Sequence, residues 1–412
     1  MDHETIIIGG GLSGLTCARA LHAAGRRSVV LEAGNAVGGR VRSDTVDGFT
    51  LDRGFQVLLT SYPEARQWLD YEALDLQVMT PGALVWRDGA RHRISDPFRR
   101  PQDLPATLRA PVGSWLDKAR IGWMRWQSQR GTLDNIFERP EMTALALVQH
   151  YGFSEKMIES FLRPWLGGIF LETELSTSSR MLEFVFRFFA DGDAAIPAAG
   201  MQAIPRQLAA GLPEDSVRCG VAVVAVEGRT VHVSSGERLT GRHIVVATDG
   251  AAASRLLPEV VVAPSWRQAV TLYFAAAVSP VGEPTLLLNG TGSGCIGHIV
   301  DLSRVAPRYA PAGQSLVSLS VRGAVPESDD ELVALIRAEA GGWFGGDAVA
   351  AWRLLRVDRI RQALPVRWPL VRSHPVPVRD GVWVCGDHRD TASIQGAMQS
   401  GRETADAVIA LS

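Results

Sequence analysis

The chain has 412 residues, 46% of them hydrophobic, and a formal net charge of -2. That length and apolar content describe a globular protein of two or three domains, and the balanced charge gives no overall attraction to nucleic acid. Cys17, Cys219, Cys295 and Cys385 lie far apart without C-x-x-C spacing, so neither a metal knuckle nor a disulfide framework is expected and each reads as a small buried apolar residue.

No apolar run reaches transmembrane length, and the first strand starts too near the N-terminus for a secretory signal, so a cytoplasmic location is expected. Ile6, Ile7 and Ile8 form a short β-branched run that suits a buried parallel strand and stops at Gly9. Gly9, Gly11 and Gly14 follow the G-x-G-x-x-G spacing: a tight turn, a close backbone approach to a pyrophosphate, and tight helix–sheet packing. The amides from Leu12 and Ser13 to Leu15 then open a helix whose positive end faces an anion. Leu12, Leu15, Ala18 and Leu21 recur at helical spacing, and Gly25 is placed to end that helix. Val29 to Leu31 form a second strand that delivers Glu32, an acid suited to ribose hydroxyls and unfavourable to a 2′-phosphate. A bound dinucleotide is therefore expected here, and NADP is not.

Farther on, Phe49 to Leu59 alternates around Gly54 and predicts an extended segment with a close backbone approach. From Tyr62 to about Ala199 the pattern changes to helices and loops rich in tryptophan and arginine. Within it, Arg99, Arg100, Arg109, Lys118, Arg120, Arg125 and Arg130 interleave with Leu104, Leu108, Trp115, Leu116, Trp123 and Trp126. Such a segment (99–130) suits a membrane surface or a solvated helix whose aromatic side chains dock on the lobe, and the second is favoured. The apolar runs Phe161–Phe170 and Leu182–Phe189 serve as the lobe's core or line a greasy substrate cavity.

Residues 199–212 carry a short amphipathic helix, Val221–Val226 and Thr230–Val233 two strands joined at Glu227-Gly228-Arg229, and His243–Thr248 a buried strand. Strands are expected at Ala269–Ala277 and Gln314–Val321, with a helix at Asp329–Ala340. The NGTGSG stretch from Asn289 to Gly294 has cysteine at the third glycine position and no helical pattern directly after it, so it reads as a hairpin turn and gives no second nucleotide site. Val382–Cys385 form a last strand, followed by Gly386-Asp387 and a closing helix.

Gly38, Gly39 and Arg40, together with the tail VWVCGDHRDTASIQGAMQSGRETADAVI, resemble the signatures of the flavin amine oxidase and carotenoid desaturase superfamily. The resemblance implies an α/β fold in which a Rossmann-like FAD-binding domain (1–61, 200–262 and 376–412) carries an inserted α+β substrate-binding lobe (62–199 and 263–375). It implies that Gly9, Gly11, Leu12, Ser13, Gly14, Glu32, Ala33, Gly39 and Arg40 hold the adenosine and phosphates. Gly54, Phe55 and Gln56 match a D-x-G-G stretch beneath the flavin ring, with Phe55 replacing its second glycine. Val223 takes the adenine position, Gly386 and Asp387 the ribityl or pyrophosphate region, and Ile394 the backbone contact at the isoalloxazine O2. His388 and Trp368 are candidates for positions near the flavin, His388 being equally readable as a surface-loop histidine.

Many amine oxidases of the superfamily place a lysine near flavin N5, yet Lys118 and Lys156 fall outside the matching region. Covalent members use a cysteine upstream of the final strand, and residues 350–384 contain none, so the FAD is expected to dissociate. The regions LDRGFQVLLTSYPEA and FLRPWLGGIFLETELSTSSR resemble bacterial phytoene-desaturase-like proteins. The expected activity is therefore hydride removal from a C–H bond of a lipophilic, isoprenoid or polyene-like substrate, with oxygen or a quinone as electron acceptor. An amine or porphyrinogen oxidase is the alternative, and a non-catalytic flavin-binding protein the third.

Overall fold

A computed structural model describes residues 3–372, 375 and 377–411 as an α/β protein built on two large sheets. The expected boundary between 375 and 376 falls where Val376 lies outside the described residues. In the first sheet, β1 (His3–Ile8) runs parallel between β2 (Ser28–Glu32) and the strand Arg238–Val246. Val217–Cys219 extends the sheet beyond β2, and Val382–Val384 joins it beside Arg238–Val246, both parallel. The β-branched runs at Ile6–Ile7, Val30 and Ile244–Val246 are wholly buried, which is what a strand covered on both faces requires.

One of those faces is covered by α1 (Leu12–Ala23) and the closing helix Ile394–Ala410, which pack against each other. Small residues make that contact possible: a Cβ on Gly401 would lie 2.1 Å from the Ser13 carbonyl oxygen. The last helix of the chain is thereby seated on the first, and Cys17, Leu21, Ala405 and Val408 share a core beneath them.

The second sheet is antiparallel except for one parallel pairing, between Ala83–Arg87 and Leu286–Asn289. It runs in the order Arg353–Pro365, Trp266–Ala276, Ser315–Val321, Ile296–Asp301, Leu286–Asn289, Ala83–Arg87, Ala90–Ile94. The helix Asp329–Phe344 covers one face through Leu332, Ile336 and Ala340. Toward the other face lie the helical segment and the loop after Asp52, with Tyr273, Leu288 and Val300 in a shared core. NGTGSG is the turn between two antiparallel strands, as its residues predicted.

Several expectations change. The lobe segment 62–199 also contributes the hairpin Ala83–Arg87/Ala90–Ile94, turned at Asp88 and Gly89, both with positive φ. Phe49–Leu59 is not one strand: Phe49–Asp52 and Leu58–Leu59 belong to different small sheets, separated at Gly54 with φ +78°. Cys219 is exposed, because its strand lies at the sheet edge. The tryptophans of 99–130 do not dock inward: Trp115, Trp123 and Trp126 are exposed while Asp117, Met124 and Ser128 face the protein. Asp117 is fixed there by the Ser114 capping box and by the Ser154 amide and hydroxyl, so hydrogen bonding rather than hydrophobicity sets the helix rotation. Among the described residues, no helix is long and apolar enough to cross a membrane.

Candidate flavin site

The three glycines of the opening turn have separate physical tasks. Gly9 has φ +110°, and a Cβ there would stand 2.8 Å from the Ala247 carbonyl oxygen. Gly14 lies so near the turn that its Cβ would sit 2.0 Å from the Gly9 carbonyl oxygen. By contrast, a Cβ on Gly11 would meet no atom within 4 Å, so this backbone faces open space at the mouth of α1. No side chain caps α1 and no acid stands in its first turn, leaving the positive end available to an anion at Leu12 and Ser13.

The second glycine turn is tied onto the first by the Gly38 amide, which donates to the Gly10 carbonyl at 2.8 Å. Gly39 has φ +57°, and its Cβ would approach only the Gly11 Cα, at 3.5 Å. Glu32 closes the far end, accepting from the Gly10 amide through Oε2 and the Gly34 amide through Oε1, each at 2.7 Å. Ala33, between Glu32 and Gly34, is exposed. The Glu32 carbonyl also receives the Val221 amide, so the segment leading to half-buried Val223 lies alongside this acid.

Arg40 reaches across the fold. Its guanidinium donates to Asp387 Oδ1 at 2.6 Å and to the Ala363 carbonyl at 2.9 Å, and its charge lies over the Trp266 ring. Gln56 donates to the carbonyls of Arg40 and Arg53, and the Gly54 amide to Asp358. Gly386, with φ +147°, donates its amide to Ser400 Oγ, while Ile394 opens the closing helix behind its Ser393 cap. A Cβ on Gly396 would lie 2.0 Å from the Thr391 carbonyl oxygen, which accounts for a small residue at the start of that helix.

Of the two weaker candidates, His388 is buried, so its surface-loop reading does not hold. Its ring occupies the space beside Gly250 and Gly386, and neither nitrogen has a hydrogen-bond partner. Burial drives its pKa down to about 4 against the opposing pull of Asp387, so the imidazole is neutral at pH 7. Trp368 is half exposed and lines a cleft with Phe170, Met181, Arg267, Leu364 and Ala392, at the junction of the inserted lobe and the C-terminal loop. Lys118 is occupied elsewhere, donating to the carbonyls of Leu108 and Ala110.

Other groups had no local signal in the sequence. The strand Arg353–Pro365 brings Arg356 and Asp358 to Asp52 and the loop after it, and the Ala363 carbonyl to Arg40. His298 packs edge-on against Phe55, 5.1 Å between ring centres, with its Nε2 buried and unpartnered. Burial pushes its pKa to about 4. In the sequence it is a lone histidine within the otherwise apolar Ile296–Val300 run, a pattern that assigns it no role.

Beneath this loop, Asp52 accepts from Ser43 Oγ, the Met201 amide and the Tyr309 hydroxyl, while its carbonyl takes the Tyr273 hydroxyl. Burial outweighs these donors and lifts its pKa from 3.8 to about 6. The folded chain therefore binds more protons than the unfolded chain between those values, and stability falls as pH rises through that window. The loss amounts to about 3 kcal/mol above pH 6. Asp52→Asn keeps an acceptor for Ser43 and Met201 and should flatten this dependence; thermal melts from pH 4 to 7 of both proteins measure it, and parallel slopes would refute the assignment.

The open backbone between Gly11 and Gly39, the uncapped α1 and the unpartnered polar atoms of His388, Trp266 and Gln56 fit an elongated anionic cofactor lying from Glu32 to Ile394. An α/β sheet with a glycine turn at the mouth of α1 and a second, glycine-marked C-terminal segment fits the class of flavoprotein oxidoreductases. Residues 12–409 match the model for flavin containing amine oxidoreductases, and the chain belongs to that family, with FAD as its cofactor. A putrescine oxidase from Kocuria rosea is 39% identical over 95 residues, 22% of this chain and 20% of that protein. A coproporphyrinogen III oxidase from Propionibacterium freudenreichii is 28% identical over 177 residues, 40% of this chain and 31% of that protein. The chain thus spans a third or less of these curated relatives' lengths. An oxidoreductase structure from Methanosarcina mazei superposes with a TM-score of 0.75 at 17% identity, over 99% of this chain and 100% of that one.

Proposed function

We propose that this FAD-dependent oxidoreductase removes hydride from a C–H bond of a lipophilic substrate that is neutral or acidic. The observation that carries this reading is the cleft beside Ala392. Its walls are apolar at Phe170, Met181, Leu364 and Trp368, its charged groups are Arg267 and Arg367, and among the described residues no carboxylate lines it. A cationic amine would be desolvated there against like charge, whereas a greasy molecule gains by burial and an attached carboxylate gains a partner. A porphyrinogen oxidase is the second reading. Its support is that the curated relatives include a coproporphyrinogen III oxidase and that such substrates carry carboxylates.

On this reading residues 1–61, 200–262 and 376–412 hold the cofactor and residues 62–199 and 263–375 the substrate. Gly9, Gly11, Leu12, Ser13 and Gly14 present backbone to the pyrophosphate, Glu32 and Ala33 meet the ribose, and Val223 meets the adenine. Gly39, Arg40, Gly386 and Asp387 flank the phosphates and ribityl chain, and Gly54, Phe55, Gln56 and Ile394 border the ring. Bound FAD supplies hydride acceptance at N5; the protein orients the C–H bond, excludes water and places the positive end of the closing helix where negative charge develops. The final electron acceptor is oxygen or a quinone. His388, neutral and buried, is a hydrogen-bonding group for the cofactor.

The FAD is held without a covalent bond. Cys385, the thiol nearest Gly386, is buried against the core and its pKa is pushed up to about 12 by burial, so it supplies no nucleophilic thiolate. Acid precipitation should leave yellow colour in the supernatant, and a yellow pellet would refute this. Anaerobic mixing with porphyrinogens, polyenes and amines tests the activity. Bleaching of the flavin by a neutral or acidic lipophilic donor is expected, and bleaching by primary amines alone would overturn the reading.

A further inference from the structure

The helix Trp115–Gln129 is turned with its tryptophans outward. Trp115, Ala119, Trp123 and Trp126 follow one another at steps of four, four and three residues and form a single exposed stripe, the three tryptophans being 70%, 50% and 48% exposed. Its inward stripe is Asp117, Met124 and Ser128, so a charge and a hydroxyl are buried while indoles face out. Phe98, Leu104 and Leu108 are exposed on the neighbouring segment, giving a contiguous stretch of chain with large unburied apolar side chains.

Charge identifies what covers this face. Arg109 is exposed, and Arg130 lies with its guanidinium over the Trp126 ring at 4.6 Å. The acids of the same stretch are already engaged: Asp103 by Arg100 and Ser95, Asp117 by Ser114 and Ser154. The stripe thus presents indoles and the cations Arg109 and Arg130, neither paired with a carboxylate among the described residues, without an unengaged acid. A second copy docking by two-fold symmetry would set these cations against themselves. An anionic lipid surface complements both features, since indoles settle at the headgroup level and arginines pair with phosphate.

We propose that this face docks in the interfacial region of an anionic lipid bilayer, with the helix lying in the membrane plane. At 15 residues the helix is roughly 22 Å long, suited to lying flat and too short to span. Its inner side packs on the helix Ser179–Asp191, where Arg125 donates to the Ala190 carbonyl, and the other end of that helix brings Met181 to the cleft. Docking would therefore hold the lobe that takes a lipophilic substrate against the phase in which such a substrate dissolves. Only this last link rests on the proposed function.

Sedimentation of the FAD-loaded protein with vesicles tests the proposal without any substrate. The protein should pellet with phosphatidylcholine vesicles containing phosphatidylglycerol, less with phosphatidylcholine alone, and progressively less as salt rises. Trp123→Ser with Trp126→Ser should weaken binding by about tenfold or more, and Arg109→Gln with Arg130→Gln by about tenfold on anionic vesicles only. Flavin content and melting temperature should not move. Failure to pellet with either vesicle, or a dimer in light scattering that the tryptophan changes dissolve, would overturn the proposal. Because binding is read in the absence of turnover, a failed substrate screen would leave this result standing, and the converse also holds.

Discussion

Gly14→Ala should yield protein with less than about a tenth of the wild-type flavin, because the added methyl group meets a backbone oxygen 2.0 Å away and the turn has to open to admit it. The neighbour is the Gly9 carbonyl, which belongs to the turn itself, so relief cannot come from a side chain swinging aside. Moving that carbonyl displaces the mouth of α1 from the cofactor path and separates α1 from the sheet. Gly122→Ala, in a helix where a Cβ meets nothing within 4 Å, is the control and should retain full flavin. The ratio of flavin to protein absorbance measures both, and wild-type flavin content in Gly14→Ala would show that the turn is not the cofactor cradle.

Arg40→Ala should weaken FAD retention about ten- to thirtyfold and lower the melting temperature, since removing the guanidinium strands the buried Asp387 carboxylate at a cost of about 2 kcal/mol. That figure is kept below the usual range for a buried pair because the arginine side chain is about a third exposed and partly screened. The Ala363 carbonyl and the Trp266 ring lose their cation at the same time. Arg40→Lys should recover only part of the effect, because an ammonium cannot serve Asp387 and the Ala363 carbonyl in the same fork geometry. Asp387→Asn in the Arg40→Ala background should regain thermal stability by removing the stranded charge. Additive losses in flavin titrations and melts of the four proteins would dissociate the pair.

The opening unit was legible because every instruction in it is local. Strand, turn, helix and acid follow within thirty residues, and Gly14 answers a requirement imposed by its sequence neighbour Gly9, although Gly9 itself is held by the distant Ala247. The C-terminal signature was legible for a similar reason: Gly386, Gly396 and Gly401 mark close approaches, and a missing side chain is visible in the sequence. Side-chain direction was less accessible. The 99–130 segment has helical periodicity, but the rotation of its helix is set by Asp117 bonding to Ser154, a partner 37 residues away. A hydrophobic-in reading therefore pointed the tryptophans the wrong way.

The sequence by itself pointed to a dinucleotide, because the first glycine turn and Glu32 encode backbone geometry within a short stretch, and the resemblance carried by Gly38–Arg40 and the C-terminal tail narrowed that to FAD. Only the tertiary structure decided what surrounds that cofactor path. It closed Arg40 onto Asp387 across 347 residues, buried His388, set His298 against Phe55 and gave the cleft its two arginines. Those contacts depend on which distant strands share a sheet edge, and such pairings arise from the packing of the whole chain rather than from any window of it.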